Sequence, residues 1–259
     1  MSDSFGSWQL DALIAVGGLG EIWRASRVNS PAVALKRIHT HLIRNAEAVD
    51  QFTREQQLAM TLPRHSNVVA GVEADAVDGR AYVAMELANG EDLRRTLAPK
   101  TVIPRSRAVA IVLAACEAAS HLHANGWVHG DINPSNLVID PQPAGDRVVL
   151  IDLGIARQIG EAGAARGTHA YMAPEQVRGE AWTPATDVFA LGVVLWELIA
   201  GERLFHRGPT WLSMRAVIED EPPALADRVL DAIAREALAK DLAARIATPA
   251  LLAERLRAG

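Results

Sequence analysis

The sequence predicts an α+β protein in two parts: a small β-rich N-terminal part carrying one helix, and a larger, mainly helical C-terminal part. Three observations predict it. Short apolar runs broken by glycine turns fill the first 88 residues, and after Asn89-Gly90 the hydrophobic spacing lengthens to the helical period. Residues 188–200 are apolar on every side, yet 13 residues that include Glu197 are too short for a bilayer and suit a buried core helix. Composition agrees: 259 residues at 49% hydrophobic and 22% charged can bury a sizeable core. A net charge of −5 supplies no basic stripe for nucleic acid. The single Cys116 excludes internal disulfides and a cysteine-rich metal site, which points to a reducing cytoplasm. Residues 1–10 are polar and lack the pattern of a secretion signal, and with residues 188–200 too short to span a bilayer no membrane segment is expected; the oligomeric state stays open.

Taken in order, residues 12–16 and 22–26 are strands flanking Gly17-Gly18-Leu19-Gly20, and 32–38 is a third strand. Residues 45–62 have amphipathic helical spacing, stopped by Pro63. Two more strands, 68–76 and 81–87, join through Asp78-Gly79, a strong hairpin signal. Beyond a linker near 88–90, helices are expected at 105–124, 184–200, 212–219, 226–239 and 248–257.

The chemistry concentrates in His129-Gly130-Asp131-Ile132-Asn133-Pro134-Ser135-Asn136, a short polar loop after an apolar stretch. A second acidic residue, Asp152, ends the β-rich run Val148-Val149-Leu150-Ile151 ahead of Leu153-Gly154. One Asp to accept a proton, with an Asn and an Asp to hold Mg²⁺, suffices for phosphoryl transfer from ATP. Gly17, Gly18 and Gly20 leave room for backbone N–H groups to approach phosphates, although a plain turn would also account for them. Lys36 ends the apolar strand Val33-Ala34-Leu35 and is costly to bury unless paired; Glu55, nineteen residues on, is the candidate partner. Taken alone, Lys36 and Glu55 could be a solvated strand end and helix face. His121 and His123 lie two apart on a helix and point away from each other, so they do not make a metal site with His129.

The ordered set of glycine turn, strand Lys, helix Glu, loop Asp and Asn, and strand-end Asp resembles the eukaryotic-like (Hanks-type) serine/threonine protein kinase family, in its bacterial branch. The resemblance runs from about Trp8 to the last helix. It is most specific in Gly167-Thr168-His169-Ala170-Tyr171-Met172-Ala173-Pro174-Glu175-Gln176, similar to the end of an activation segment, and in Asp187-Val188-Phe189-Ala190-Leu191-Gly192, similar to the start of the buried central helix. It implies a two-lobed protein kinase-like fold with lobes 1–88 and 89–259, ATP and Mg²⁺ as cofactors, and protein substrates. Lys36 would contact the α and β phosphates and pair with Glu55, Asp131 would orient the acceptor hydroxyl, and Asn136 and Asp152 would hold Mg²⁺. Ile22, Ala34 and Val138 would sandwich the adenine, with Met85 behind it and backbone groups of Glu86 and Ala88 at its edge. Glu91 or Asp92 would reach the ribose, and Glu175 would pair with Arg245.

Four positions depart from the family pattern. Ala15 replaces the first loop glycine and Leu153 the usual Phe. Gly130 replaces an Arg that in relatives binds a phosphate on the activation segment. Between Asp152 and Glu175 there is no Ser and one Thr, Thr168, so receptor and phosphosites are missing together, and control by phosphorylation of this segment is not expected. Asn133 replaces a Lys that neutralises the transferring phosphate, which predicts a slow enzyme. Two other readings stay open: a small-molecule phosphotransferase of the aminoglycoside or choline kinase type, suggested by His129-Gly130-Asp131 and Asn136, and a pseudokinase acting as a binding module.

Overall fold

The computed structural model of the protein describes residues 3–97, 103–143 and 145–259. The chain forms two compact units, one comprising Met1–Asn89 with Asp152–Gly154, the other Gly90–Ile151 with Ile155–Gly259.

The first unit contains strands β1 (Asp3–Phe5), β2 (Trp8–Val16), β3 (Gly20–Ser26), β4 (Val33–Ile38), β5 (Gly71–Val77) and β6 (Arg80–Glu86), with helix α1 (Ala46–Thr61) between β4 and β5. They form one antiparallel sheet in the order β1-β2-β3-β4-β6-β5. β2 begins four residues before the expected strand because Trp8 and Leu10 alternate into the core, with Phe5, Ala25, Val33, Leu35, Tyr82 and Ala84. β5 begins three residues later than expected, at Gly71, where a Cβ would lie 2.5 Å from the Ala59 carbonyl of α1. Val68 and Val69 are buried ahead of it without being in the strand. Asp78 and Gly79 both have positive φ (49° and 75°), as a two-residue hairpin turn requires. Asn45 caps α1 by accepting the Ala48 N–H at 3.0 Å, and Pro63 forces Leu62 into an extended conformation. Phe52, Glu55, Leu58 and Ala59 form the buried face of α1, so Glu55 sits among apolar residues.

In the second unit the helices are α2 (Leu93–Thr96), α3 (Arg105–Ala124), α4 (Pro174–Arg178), α5 (Pro184–Ala200), α6 (Thr210–Glu219), α7 (Arg228–Ala237) and α8 (Pro249–Ala258). Its short strands are β7 (Glu91–Asp92), β8 (Trp127–Val128), β9 (Leu137–Gln142), β10 (Gly145–Leu150) and β11 (Arg157–Gln158), in two small sheets ordered β10-β9-β7 and β11-β8. Every residue of α5 from Ala185 to Leu198 is buried, as its all-round apolarity predicts. Gly192 lets α7 approach closely, since a Cβ there would fall 2.9 Å from that of Ala237. α7 starts two residues later than expected because Asp227 is its cap, accepting the N–H groups of Val229 and Leu230 at 3.0 and 3.1 Å. Among the described residues no helix is long and apolar enough to cross a membrane.

One buried ion pair ties this unit together. Arg245 donates from Nη1 to Glu175 Oε1 at 2.8 Å and from Nη2 to Oε2 at 3.1 Å, both side chains being essentially inaccessible. Thr186 Oγ1 and the Ala185 carbonyl complete the network. Removing one partner strands a buried charge, so Arg245→Ala should lower unfolding free energy by about 3–5 kcal/mol in urea denaturation.

Candidate active site

Lys36 lies on β4 opposite Ile22 of β3 and Val83 of β6, in the middle of the sheet, which is why it is buried. Its Nζ lies 2.5 Å from Glu55 Oε1 and 2.9 Å from Asp152 Oδ1. Burial alone would lower the pKa of the ammonium, but the Asp152 and Glu55 carboxylates more than offset this and hold it above the ordinary lysine value. Lys36 therefore stays charged through the neutral range. Burial pushes Glu55 up, against the pull of Lys36. Asp152 has φ of 62°, a strained backbone for a non-glycine residue, and its Oδ1 also accepts the Gly154 N–H at 3.2 Å. Its side chain is 38% exposed, the most accessible of the three charged groups.

The glycine turn closes with a Gly17 N–H to Gly20 carbonyl bond of 2.8 Å, and His39 Nε2 lies 2.8 Å from the Gly17 carbonyl. The glycines differ in what they serve. A Cβ at Gly20 would fall 2.2 Å from the Arg37 carbonyl, so sheet pairing demands glycine there; one at Gly18 would meet nothing within 4 Å, leaving the turn tip open. Ile22 and Ala34 are half-buried on β3 and β4, Ala34 pairs with the buried Met85 of β6, and Glu86 and Ala88 follow. Val138 is buried on β9 in the second unit, as is Asn136 just before it. Asp92 caps α2 through the Arg95 N–H.

In the second unit, Asp131 Oδ1 accepts the Thr168 N–H at 2.8 Å, and Oδ2 accepts Asn136 Nδ2 at 3.1 Å. The Asn136 amide also donates to the Asp131 carbonyl, which leaves its own carbonyl oxygen for a cation. The oxygen donors of Asn136 and Asp152 are hard ligands suited to Mg²⁺, and the Lys36 ammonium suits a phosphate. Taken one by one, each of these side chains has the chemistry that a part of Mg–ATP requires. Asn133 is buried, and its polar atoms serve the loop: Oδ1 accepts the Ser135 N–H at 2.9 Å, while Nδ2 donates to the Asp131 carbonyl at 2.9 Å and to Thr168 Oγ1 at 3.1 Å. It caps the turn Pro134–Asn136 rather than standing as a loose substitute for a cation.

The residue that sequence reasoning left out of the site is Asp187, at the start of α5. Its carboxylate accepts the His129 N–H at 2.9 Å and the Gly130 N–H at 2.8 Å, with His123 Nε2 at 2.7 Å. Complete burial would raise its pKa, but His123, His129 and the Gly130 N–H hold it below the usual aspartate range. A buried Asp at the first turn of an apolar helix was the available signal. Gln176, on α4, holds the Gly130 carbonyl at 2.8 Å.

The chain belongs to the protein kinase family, the protein kinase domain matching residues 8–254. Its relatives place it in the bacterial serine/threonine branch. Serine/threonine-protein kinase PknJ of Mycobacterium tuberculosis is 31% identical over 252 residues, 92% of this chain and 42% of that protein. PknB of Mycobacterium leprae is 32% identical over 260 residues, 94% and 41% respectively. The chain thus spans about two fifths of the length of these relatives. A crystal structure of a mutant PknI kinase domain of Mycobacterium tuberculosis matches with a TM-score of 0.77 at 26% identity, covering 100% of this chain and 98% of that one.

Two outcomes are expected. A depressed folded pKa means that Asp187 contributes stability above the ordinary aspartate range near 4 and loses it as pH falls through the folded value. Asp187→Asn should cost about 3 kcal/mol at pH 7 and flatten the acid limb of the stability profile measured by urea titration. Asn133→Ala, which removes a buried cap, should cost about 1–2 kcal/mol in the same measurement.

Proposed function

We propose that the chain transfers the terminal phosphoryl group of Mg–ATP to Ser or Thr hydroxyls of protein substrates. The observation that carries this is the fixing of Asp131 by Thr168 and Asn136, which aims one carboxylate at an acceptor hydroxyl from a loop anchored on a buried helix. Mg–ATP, when bound, supplies the electrophilic phosphorus and neutralises its oxygens. Lys36, itself held by Glu55, would bind phosphate; Asp152 and Asn136 would offer oxygen ligands to the cation; Asp131 would orient the acceptor hydroxyl and take its proton. Gly17, Gly18 and Gly20 would lie against the phosphates; Ile22, Ala34, Met85, Glu86 and Ala88 of the first unit and Val138 of the second would be the residues to receive the base.

Membership of the protein kinase family and the segment from Gly167 to Glu175 favour a protein acceptor over a small molecule. Buried Asn133 favours slow turnover, because no cation stands at that position to neutralise the transferring phosphate. Thr168 is engaged through both N–H and hydroxyl with the catalytic loop, so its phosphorylation would disrupt that loop instead of ordering it.

Asp131→Asn should lower kcat by a factor of about 10³ or more, with the ATP-induced rise in melting temperature retained. Transfer unaffected by this change would refute the assignment, and absence of an ATP-dependent shift in the wild type would favour a scaffold. Thr168→Glu should lower activity; an increase would contradict phosphate-independent control.

A further inference from the structure

Gly130 lacks a side chain at a place where another residue's ring already stands. A Cβ at this position would lie 2.1 Å from Cζ3 of Trp182 and 2.8 Å from Cε3 and Cη2, and the backbone φ of 74° is itself one that side chains disfavour. Trp182 is fully buried, yet its indole Nε1 has no hydrogen-bond partner, so packing and not polar bonding sets the ring's position. The Arg157 guanidinium lies over the ring, 4.5 Å from its centroid. Gly163 in turn passes close against that guanidinium, a Cβ there falling 1.6 Å from Arg157 Nη1.

The backbone around Trp182 is stitched to the same segment. Its carbonyl accepts the Gly160 N–H at 2.8 Å, its N–H donates to the Glu161 carbonyl at 3.1 Å, and Ala181 bridges to Ala162. Arg157 and Gln158 pair with Val128 and Trp127, directly ahead of the catalytic loop, and the Ile159 N–H reaches the Gly126 carbonyl at 3.0 Å. One indole therefore touches the catalytic loop at Gly130 and the activation segment at Arg157.

We propose that Trp182 is the positioning residue that holds the activation segment and the catalytic loop in register in this chain, by filling the space at Gly130 and holding the Arg157 guanidinium on its face, without a phosphate. The kinetic part of this inference rests on the proposed kinase activity; the structural part does not. The device also explains why Gly130 and a segment poor in hydroxyls occur together. Arg157 is engaged by an aromatic face that is always present.

The test uses the whole chain after phosphatase treatment, read by hydrogen exchange over residues 155–167 and by phosphoryl transfer to a protein acceptor. The wild type should keep slow exchange in the segment. Trp182→Ala and Arg157→Gln should each speed it by about tenfold or more while the α5 amides stay protected. The same variants should lower kcat by about tenfold, with the KM for ATP within about twofold, and Trp182→Phe should recover most of both properties. Arg157 is half-buried, so its variant remains informative if Trp182→Ala does not fold. The proposal is overturned if Arg157→Gln leaves exchange over residues 155–167 at the wild-type rate, or if phosphatase treatment alone loosens the segment in the wild type. A wild type without phosphoryl transfer would refute the kinase reading, and the exchange measurement would still decide the role of Trp182.

Discussion

The carboxylate of Asp187 sits at the first turn of α5, with no exposure to solvent, and accepts two consecutive backbone N–H groups from His129 and Gly130. A buried charge of this kind is tolerable only if fully partnered, and besides His123 its partners are the two residues directly before Asp131. The position of Asp131, the proposed catalytic carboxylate, is thus inherited from the apolar helix α5. Further along, the loop fastens itself: Asn133 and Asn136 both donate to the Asp131 carbonyl, and Gln176 fixes the carbonyl of Gly130. With so many bonds converging on the backbone of residues 129–131, the Asp131 side chain has little freedom left to lose on reaching a reactive geometry.

The first unit solves a different problem. It buries a cation in the middle of a β-sheet and places two carboxylates on it, Glu55 from α1 and Asp152 from the strained residue before Leu153. Three charges in this arrangement sum to −1, and the surplus lies towards Asp152, the exposed member. That polarity suits a divalent cation at Asp152 and a phosphate near Lys36. Glu55 contributes by holding Lys36, since its own buried carboxylate is shielded from any ligand.

Much of this was legible because the chemistry is carried by short motifs with fixed spacing. The nineteen-residue gap from Lys36 to Glu55 joins strand to helix as expected, and the Glu175–Arg245 pair closes across seventy residues. Helix α3 and helix α5 have the predicted limits because Pro184 and a long apolar pattern leave little choice. What stayed hidden depends on contacts distant in sequence. Nothing local shows that Trp182 fills the space beside Gly130, fifty-two positions away, so the loss of a basic residue there reads only as an absence. Asn133 likewise reads as a missing cation until its side chain is seen capping Ser135 and holding Thr168. Gly20 looks like part of a phosphate loop, but the sheet itself requires it. β5 begins late because the end of α1 crosses Gly71, which no periodicity reveals.

The proposed phosphoryl transfer to protein hydroxyls calls on two separately braced charge groups, Lys36–Glu55–Asp152 and Asp131–Asn136–Thr168. Its most direct test is incubation of the whole chain with γ-labelled ATP, Mg²⁺ and a mixed protein acceptor, read by residue-level mass spectrometry. Slow, Mg²⁺-dependent labelling of Ser and Thr is expected. Label passing only to small-molecule hydroxyls, or ATP bound with no labelled acceptor of any kind, would contradict it.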